Sequence, residues 1–302
     1  MINSTGADIL DLIRRRVVLL DGALGTELMK RSGPPPGRCL ELINIENPEA
    51  VRAVHGDYYD AGADVVSTNS FGGSPLKLAT AGLAGRCREL NAAAARLAVS
   101  VRPSGRFVAG DIGPTGKFLQ PQGEHTEAEF EDGFALQAEG LFEGGVDFIL
   151  IETMFDLREA LCAVRGARRV AASRPVFASL TFNRTKRGFF TLMGDGLEKC
   201  ARAFEAEGLP AFGANCSLGS GDMADLIAEW KTLTSTPLIA QANAGKPEIS
   251  GDQVVYAQSV DDYLSEIPRL IRNGAALIGG CCGTSPEYIR RMASLLPAAE
   301  GR

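Results

Sequence analysis

The chain has 302 residues, 45% of them hydrophobic, 23% charged and 7% aromatic. A chain of this length buries about 75% of its unfolded surface and needs no disulfide to build a core. With 31 basic against 37 acidic residues the formal charge is −6, which excludes a nucleic-acid role driven by phosphate contacts, and no apolar run is long enough to span a membrane.

The first residues do not read as a secretory signal. The basic cluster Arg14, Arg15 and Arg16 is followed only by Val17, Val18, Leu19 and Leu20 before Asp21 interrupts, and no small-residue cleavage site follows. A cytoplasmic protein is expected. The seven cysteines agree, being odd in number and unlike a secreted disulfide framework.

Short β-branched or apolar runs then alternate with longer helical patterns. Strands are expected at residues 17–20, 63–68, 107–111, 148–152, 176–182, 211–215, 238–243 and 276–280. The helix after the first strand has Asn47 as cap, Pro48 in its first turn and Gly62 at its end. The helix near residue 126 opens with Thr126 and Glu129 in capping-box spacing. The last helix opens with Ser285 as cap, followed by Pro286. Eight βα units in this length match a (β/α)8 TIM barrel, class α/β. An open doubly wound sheet is disfavoured, because the first turn reads DGALGT and lacks the G-x-G-x-x-G fingerprint. The Pro-rich stretch 33–37 reads as a stiff loop, and no linker divides the chain, so residues 1–302 are expected to form one domain.

In such barrels the chemistry sits at the C-terminal ends of the strands. Those ends carry Asp21-Gly22, Thr68-Asn69-Ser70, Asp111, Glu152-Thr153, Asn183, Asn215-Cys216, Gln241 with Asn243, and Cys281-Cys282-Gly283. Thiolates of Cys216, Cys281 and Cys282 can hold a zinc ion and leave a fourth position for substrate. Flanking glycines permit the bend that two neighbouring cysteine ligands require. A vicinal disulfide between Cys281 and Cys282 is the competing reading, and it leaves Cys216 unexplained. Cys39, Cys87, Cys162 and Cys200 read as small buried hydrophobes. Three thiolates around a divalent ion leave net negative charge, a centre suited to activating an incoming thiol. Water activation for hydrolysis usually uses histidine ligands, and the only histidines, His55 and His125, are not placed to ligate.

The set LLDGALGTEL, ADVVSTNSFGGSP, GDIGPTGK, FILIETMFDLREA, GANCSLG, QANAGKPE and LIGGCCGTSPEYI resembles the homocysteine S-methyltransferase family, in order and over nearly the whole chain. The resemblance implies a barrel that binds zinc through Cys216, Cys281 and Cys282 and methylates homocysteine, held as a zinc thiolate, to methionine. It implies that Asn243 occupies the fourth zinc position when substrate is absent. Asp21 and Gly22, with Ser70, would meet the amino-acid carboxylate, and Glu152 would pair with the ammonium. Asp111 is the rival of Glu152 for that role. TNSFGGS, GDIGPTGK and GCCGTSPEYI look most like the homocysteine module of cobalamin-dependent methionine synthase. The folate, cobalamin and activation modules do not fit in 302 residues. The resemblance therefore implies a stand-alone homocysteine subunit that takes its methyl group from methylcobalamin on a partner corrinoid protein in trans. Small donors such as betaine or the sulfonium S-methylmethionine stay open, as does a non-catalytic zinc- and homocysteine-binding subunit. In the loop 183–194, Arg184, Lys186 and Arg187 precede Phe189 and Phe190. It reads equally as a docking loop or as a solvated turn whose phenylalanines fold inward.

Overall fold

The structure, a computed structural model, describes residues 5–33, 39–250 and 253–296. Most of the Pro-rich stretch 33–37 lies outside the described residues. Eight strands alternate with helices: β1 (Val18–Leu19), β2 (Val65–Ser67), β3 (Phe107–Ile112) and β4 (Phe148–Met154). They continue as β5 (Val176–Leu180), β6 (Phe212–Gly219), β7 (Leu238–Asn243) and β8 (Ala275–Gly280). Every neighbouring pair in the order β1-β8-β7-β6-β5-β4-β3-β2 is parallel. A bridge between Leu20 and Val65, with Asp64 N–H donating to the Leu19 carbonyl at 2.7 Å, joins the two ends. The expected (β/α)8 TIM barrel is therefore the observed fold.

Alternation along parallel strands separates two cores. Val18, Leu20, Val65, Phe107, Phe148 and Phe177 belong to one cluster, which Ile9 and Ile13 of the helix Thr5–Arg15 complete at the N-terminal end of the barrel. The other strand faces pack against the surrounding helices in one large cluster that includes Val66, Val108, Ile149, Phe212 and Trp230. Two helix starts form as their sequences require. Asn47 accepts Ala50 N–H at the head of the helix Pro48–Asp60, and Thr126 and Glu129 form the reciprocal capping box. Ser285 stands at the cap position, but its side chain makes no capping bond.

Two features depart from the expected elements. β6 runs on to Gly219 through an irregularity after Asn215, where Cys216 and Ser217 take φ of 62° and 55°. Two antiparallel hairpins stand beyond the barrel, Asn183–Thr185 with Gly188–Phe190 and Pro247–Ser250 with Gln253–Tyr256. The first lies within the loop 183–194 and divides its two readings. Phe189 is buried and Arg184 pairs with Asp222 and Asp225, while Lys186, Arg187 and Leu192 stay exposed.

Candidate active site

The C-terminal ends of β1, β2, β3, β4, β6 and β8 surround a cavity of about 810 Å³ whose lining includes Asp21, Gly22, Asp111, Glu152, Cys216, Cys281 and Cys282. The sulfurs of the three cysteines lie within 4.8 Å of one another, and those of Cys216 and Cys282 are 3.9 Å apart. Zn–S bonds of about 2.3 Å in tetrahedral array place sulfurs about 3.8 Å apart, so the donor set fits zinc in both chemistry and spacing.

The backbone explains how adjacent cysteines converge. Cys281 N–H donates to the Ala242 carbonyl at 2.8 Å, and the Cys282 carbonyl accepts Ala244 N–H at 3.0 Å. Gly283 follows at φ 82°, and a Cβ there would lie 2.5 Å from Cγ of Tyr256. Only glycine allows both that turn and the close ring. Cys216 meets the pair from β6 in a left-handed conformation that costs a non-glycine residue of order 1–3 kcal/mol. Hydrogen bonds from Cys216 and Cys281 hold the Cys282 thiol far below its ordinary value, at about 3.

Facing the cysteines is a group of carboxyls. Burial raises Glu152 to about 8, and the charges of Asp21 and Cys282 add to the shift. Burial also raises Asp21 to about 7, although Ser67 opposes the shift with N–H and hydroxyl bonds at 2.7 and 3.2 Å. Asp111 is pushed well up by burial and by Glu152, Asp21 and Glu41, and its Oδ1 has no partner. Burial is the largest cause of all three shifts, and for Glu152 and Asp111 neighbouring negative charge adds to it.

The turn after β1 is clamped to the cysteine turn. Thr284 Oγ1 accepts Ala23 N–H at 3.2 Å and donates to the Cys281 carbonyl at 2.7 Å. A Cβ on Gly22 would lie 2.7 Å from that oxygen. The cavity thus brings together Asp21, Gly22, Glu152 and the three cysteines. Ser70 and Asn243 are buried and are not among its lining residues. The Ser70 hydroxyl donates to the Asp111 carbonyl at 2.7 Å, and Asn243 Oδ1 has no partner. Cys39, read as a simple buried hydrophobe, lines the same cavity with its thiol donating to Glu41. Sequence reasoning gave no part to Thr284, Tyr256 or the amide of Asn215. Thr284 sits in the GCCGT motif, whereas Tyr256 arrives on the second strand of a hairpin, beyond the end of the QANAGKPE motif.

Comparison with known proteins gives the family and the fold. A sequence model of the homocysteine S-methyltransferase family matches residues 18–296. Methionine synthase of Mycobacterium tuberculosis is 33% identical over 95% of this chain, and that of Mycobacterium leprae 30% identical over the same share. The chain spans only 25% of the length of either relative. The homocysteine methyltransferase MmuM of Escherichia coli, solved in oxidized and metallated forms, superposes with TM-scores of 0.80 and 0.79. The match covers 97% of this chain and 100% of that one at 24% identity, a likeness of fold. This chain belongs to the homocysteine S-methyltransferase family.

Proposed function

We propose that this barrel methylates homocysteine to methionine, with zinc held by Cys216, Cys281 and Cys282 and the methyl group taken from a methyl-corrinoid protein in trans. The observation that carries the reading is the meeting of three cysteine sulfurs with an amide turn and the half-buried Glu152 carboxylate in one cavity. That set suits a zwitterion bearing a thiol. Zinc, when bound, lowers the pKa of a thiol at its open position and keeps that sulfur nucleophilic. A metallated form of the Escherichia coli barrel fits this reading.

The chain's own residues supply binding and aim. Glu152 takes the substrate ammonium, which replaces the neighbouring negative charge with a partner and favours the ionised carboxylate. Gly22 N–H, in the turn oriented by Asp21, meets the substrate carboxylate. Ser70 supports that pocket from behind by holding the Asp111 carbonyl. Asn243 lies between Ala242 and Ala244, which bond the backbone of the cysteine turn, and in this reading would be the group at the metal's open position before substrate arrives. With both ends of the amino acid held, its sulfur is presented in line to the methyl group, and transfer depends mainly on position. Residues 1–302 act in this reading as one homocysteine-binding unit in the cytoplasm. Among the described residues no helix is long and apolar enough to cross a membrane.

Likeness of TNSFGGS, GDIGPTGK and GCCGTSPEYI to the homocysteine module of cobalamin-dependent methionine synthase supports a corrinoid donor. The exposed Lys186, Arg187 and Leu192 on the mouth side offer such a partner a contact. A second reading, favoured by a cavity of about 810 Å³, has room beside the amino acid for betaine or S-methylmethionine. A zinc- and homocysteine-binding subunit without turnover is the remaining reading.

The test is zinc content together with methionine formed from homocysteine and each donor: methylcobalamin, betaine and S-methylmethionine. We expect one zinc per chain and methionine with methylcobalamin. Methionine from a small donor alone moves the assignment to the second reading, and bound homocysteine without turnover moves it to the third. Cys282→Ala is expected to stay folded, lose zinc and lose activity. Wild-type turnover by that zinc-free variant would overturn the scheme.

A further inference from the structure

Asn215 is fully buried immediately before Cys216, and its side-chain amide meets groups from β4, β5 and the turn after β8. Its Oδ1 accepts Thr153 N–H at 2.7 Å and the Ser179 hydroxyl at 2.9 Å. Its Nδ2 donates to Thr153 Oγ1 at 2.7 Å and to Glu152 Oε2 at 3.4 Å, and faces Cys281 Sγ at 3.9 Å. The Thr153 N–H fixes which end is oxygen, so the nitrogen must face the carboxylate and the sulfur. An acceptor on one side and two N–H donors on the other are what only an amide supplies here.

Thr153 sits at φ 58°, a left-handed conformation for a β-branched residue. Such a residue persists only where its surroundings over-determine it. Asn215 does this by gripping Thr153 at both its N–H and its hydroxyl. Glu152 immediately precedes that residue, so the direction in which its carboxylate leaves the strand is set by the same grip. The other Nδ2 hydrogen is shared between Glu152 Oε2 and Cys281 Sγ, and a donor on a sulfur ligand draws charge from it.

We propose that Asn215 is a positioning residue that couples the two halves of the site. It aims Glu152 at the substrate ammonium by holding Thr153, and it sets the charge on the Cys281 sulfur through its N–H. The inference rests on the roles given above to Glu152 and Cys281.

The experiment uses cobalt(II)-substituted protein, following the sulfur-to-cobalt absorption band alone and during titration with homocysteine. Asn215→Asp keeps the shape and the Oδ1 acceptor but removes both donors and sets a second carboxylate against Glu152. We expect the band to move before homocysteine is added, and the homocysteine Kd to rise about 10–100-fold. In the zinc enzyme the loss should fall on KM more than on kcat. Asn215→Ala removes both donors, together with the acceptor, without adding charge, and its band should move in the same direction. It also serves if the aspartate variant fails to fold by circular dichroism. A folded variant that keeps the wild-type band and the wild-type Kd would overturn the proposal. A wild-type cobalt protein whose band ignores homocysteine would overturn the proposed function instead, so the two failures are distinct.

Discussion

At the scale of the residue, His55 shows how burial turns an ordinary side chain into a pH-dependent element of stability. It is fully buried on the helix Pro48–Asp60, neither ring nitrogen has a partner, and burial lowers its pKa to about 4. The unfolded value is about 6.5, so the folded state holds the neutral ring where the unfolded state takes a proton. Its contribution is complete above pH 6.5 and is lost as pH falls toward 4, about 3 kcal/mol in all. Asp21 and Glu159, both raised to about 7 by burial, act with the opposite sign and lose their contribution as pH rises through 7. Because those terms are common to wild type and His55→Leu, the difference between the two proteins isolates the histidine. Urea unfolding at pH 7 and pH 4.5 should show the variant losing about 2–3 kcal/mol less than wild type over that interval. Equal losses would contradict the buried neutral ring. The sequence places His55 on a helix but not its face against the barrel. The three cysteines are legible because their chemistry lies in residue type and in the motifs GANCS and GGCCGT. The part of Asn215 is not, since it depends on which atoms of β4, β5 and the turn after β8 come to meet one amide.

At the scale of the element, the first and last βα turns act as one piece because Thr284 bonds both. Replacing it with valine keeps the shape, removes the bond to the Cys281 carbonyl, and leaves Ala23 N–H without an acceptor, at a cost of about 1–3 kcal/mol. Since that turn carries Gly22, Thr284→Val should raise the homocysteine KM several-fold while zinc content stays at the wild-type level, and Thr284→Ser should stay near wild type. Steady-state kinetics beside metal analysis reads both. An unchanged KM in the valine variant would free the Gly22 turn from the clamp. All eight strands were legible from runs of β-branched and apolar residues, and two helix caps from Asn47 and Thr126. The extension of β6 through Cys216 and Ser217 was not, because left-handed backbone at non-glycine residues has no local signal. Nor were the hairpins, which are held by contacts with the barrel rim such as Arg184 with Asp222.

At the scale of the whole molecule, the two ends of the barrel carry different burdens. Its closing seam between β1 and β2 is short, and Asp64 holds it from the N-terminal end. That buried carboxylate accepts Leu19 N–H at 3.0 Å, both Arg16 nitrogens at 2.6 and 2.8 Å, and Arg106. In Asp64→Asn the charge disappears while two arginines remain aimed at it. Removing one partner from a buried pair costs about 3–5 kcal/mol, and the lower end applies because both arginines keep part of their surface in water. The active face lies at the other end of β1 and β2. Asp64→Asn should therefore lose stability in urea titrations but keep its zinc content and its homocysteine KM. Cys282→Ala should show the converse, an intact unfolding midpoint once the metal contribution is set aside and no bound zinc. If Asp64→Asn also shed zinc below its unfolding transition, seam and metal turn would be one cooperative unit, joined by the hydrogen bond from Gly280 N–H to the Asp21 carbonyl at 2.9 Å. Retained zinc at full stoichiometry, with a lowered midpoint, places stability at one end and chemistry at the other.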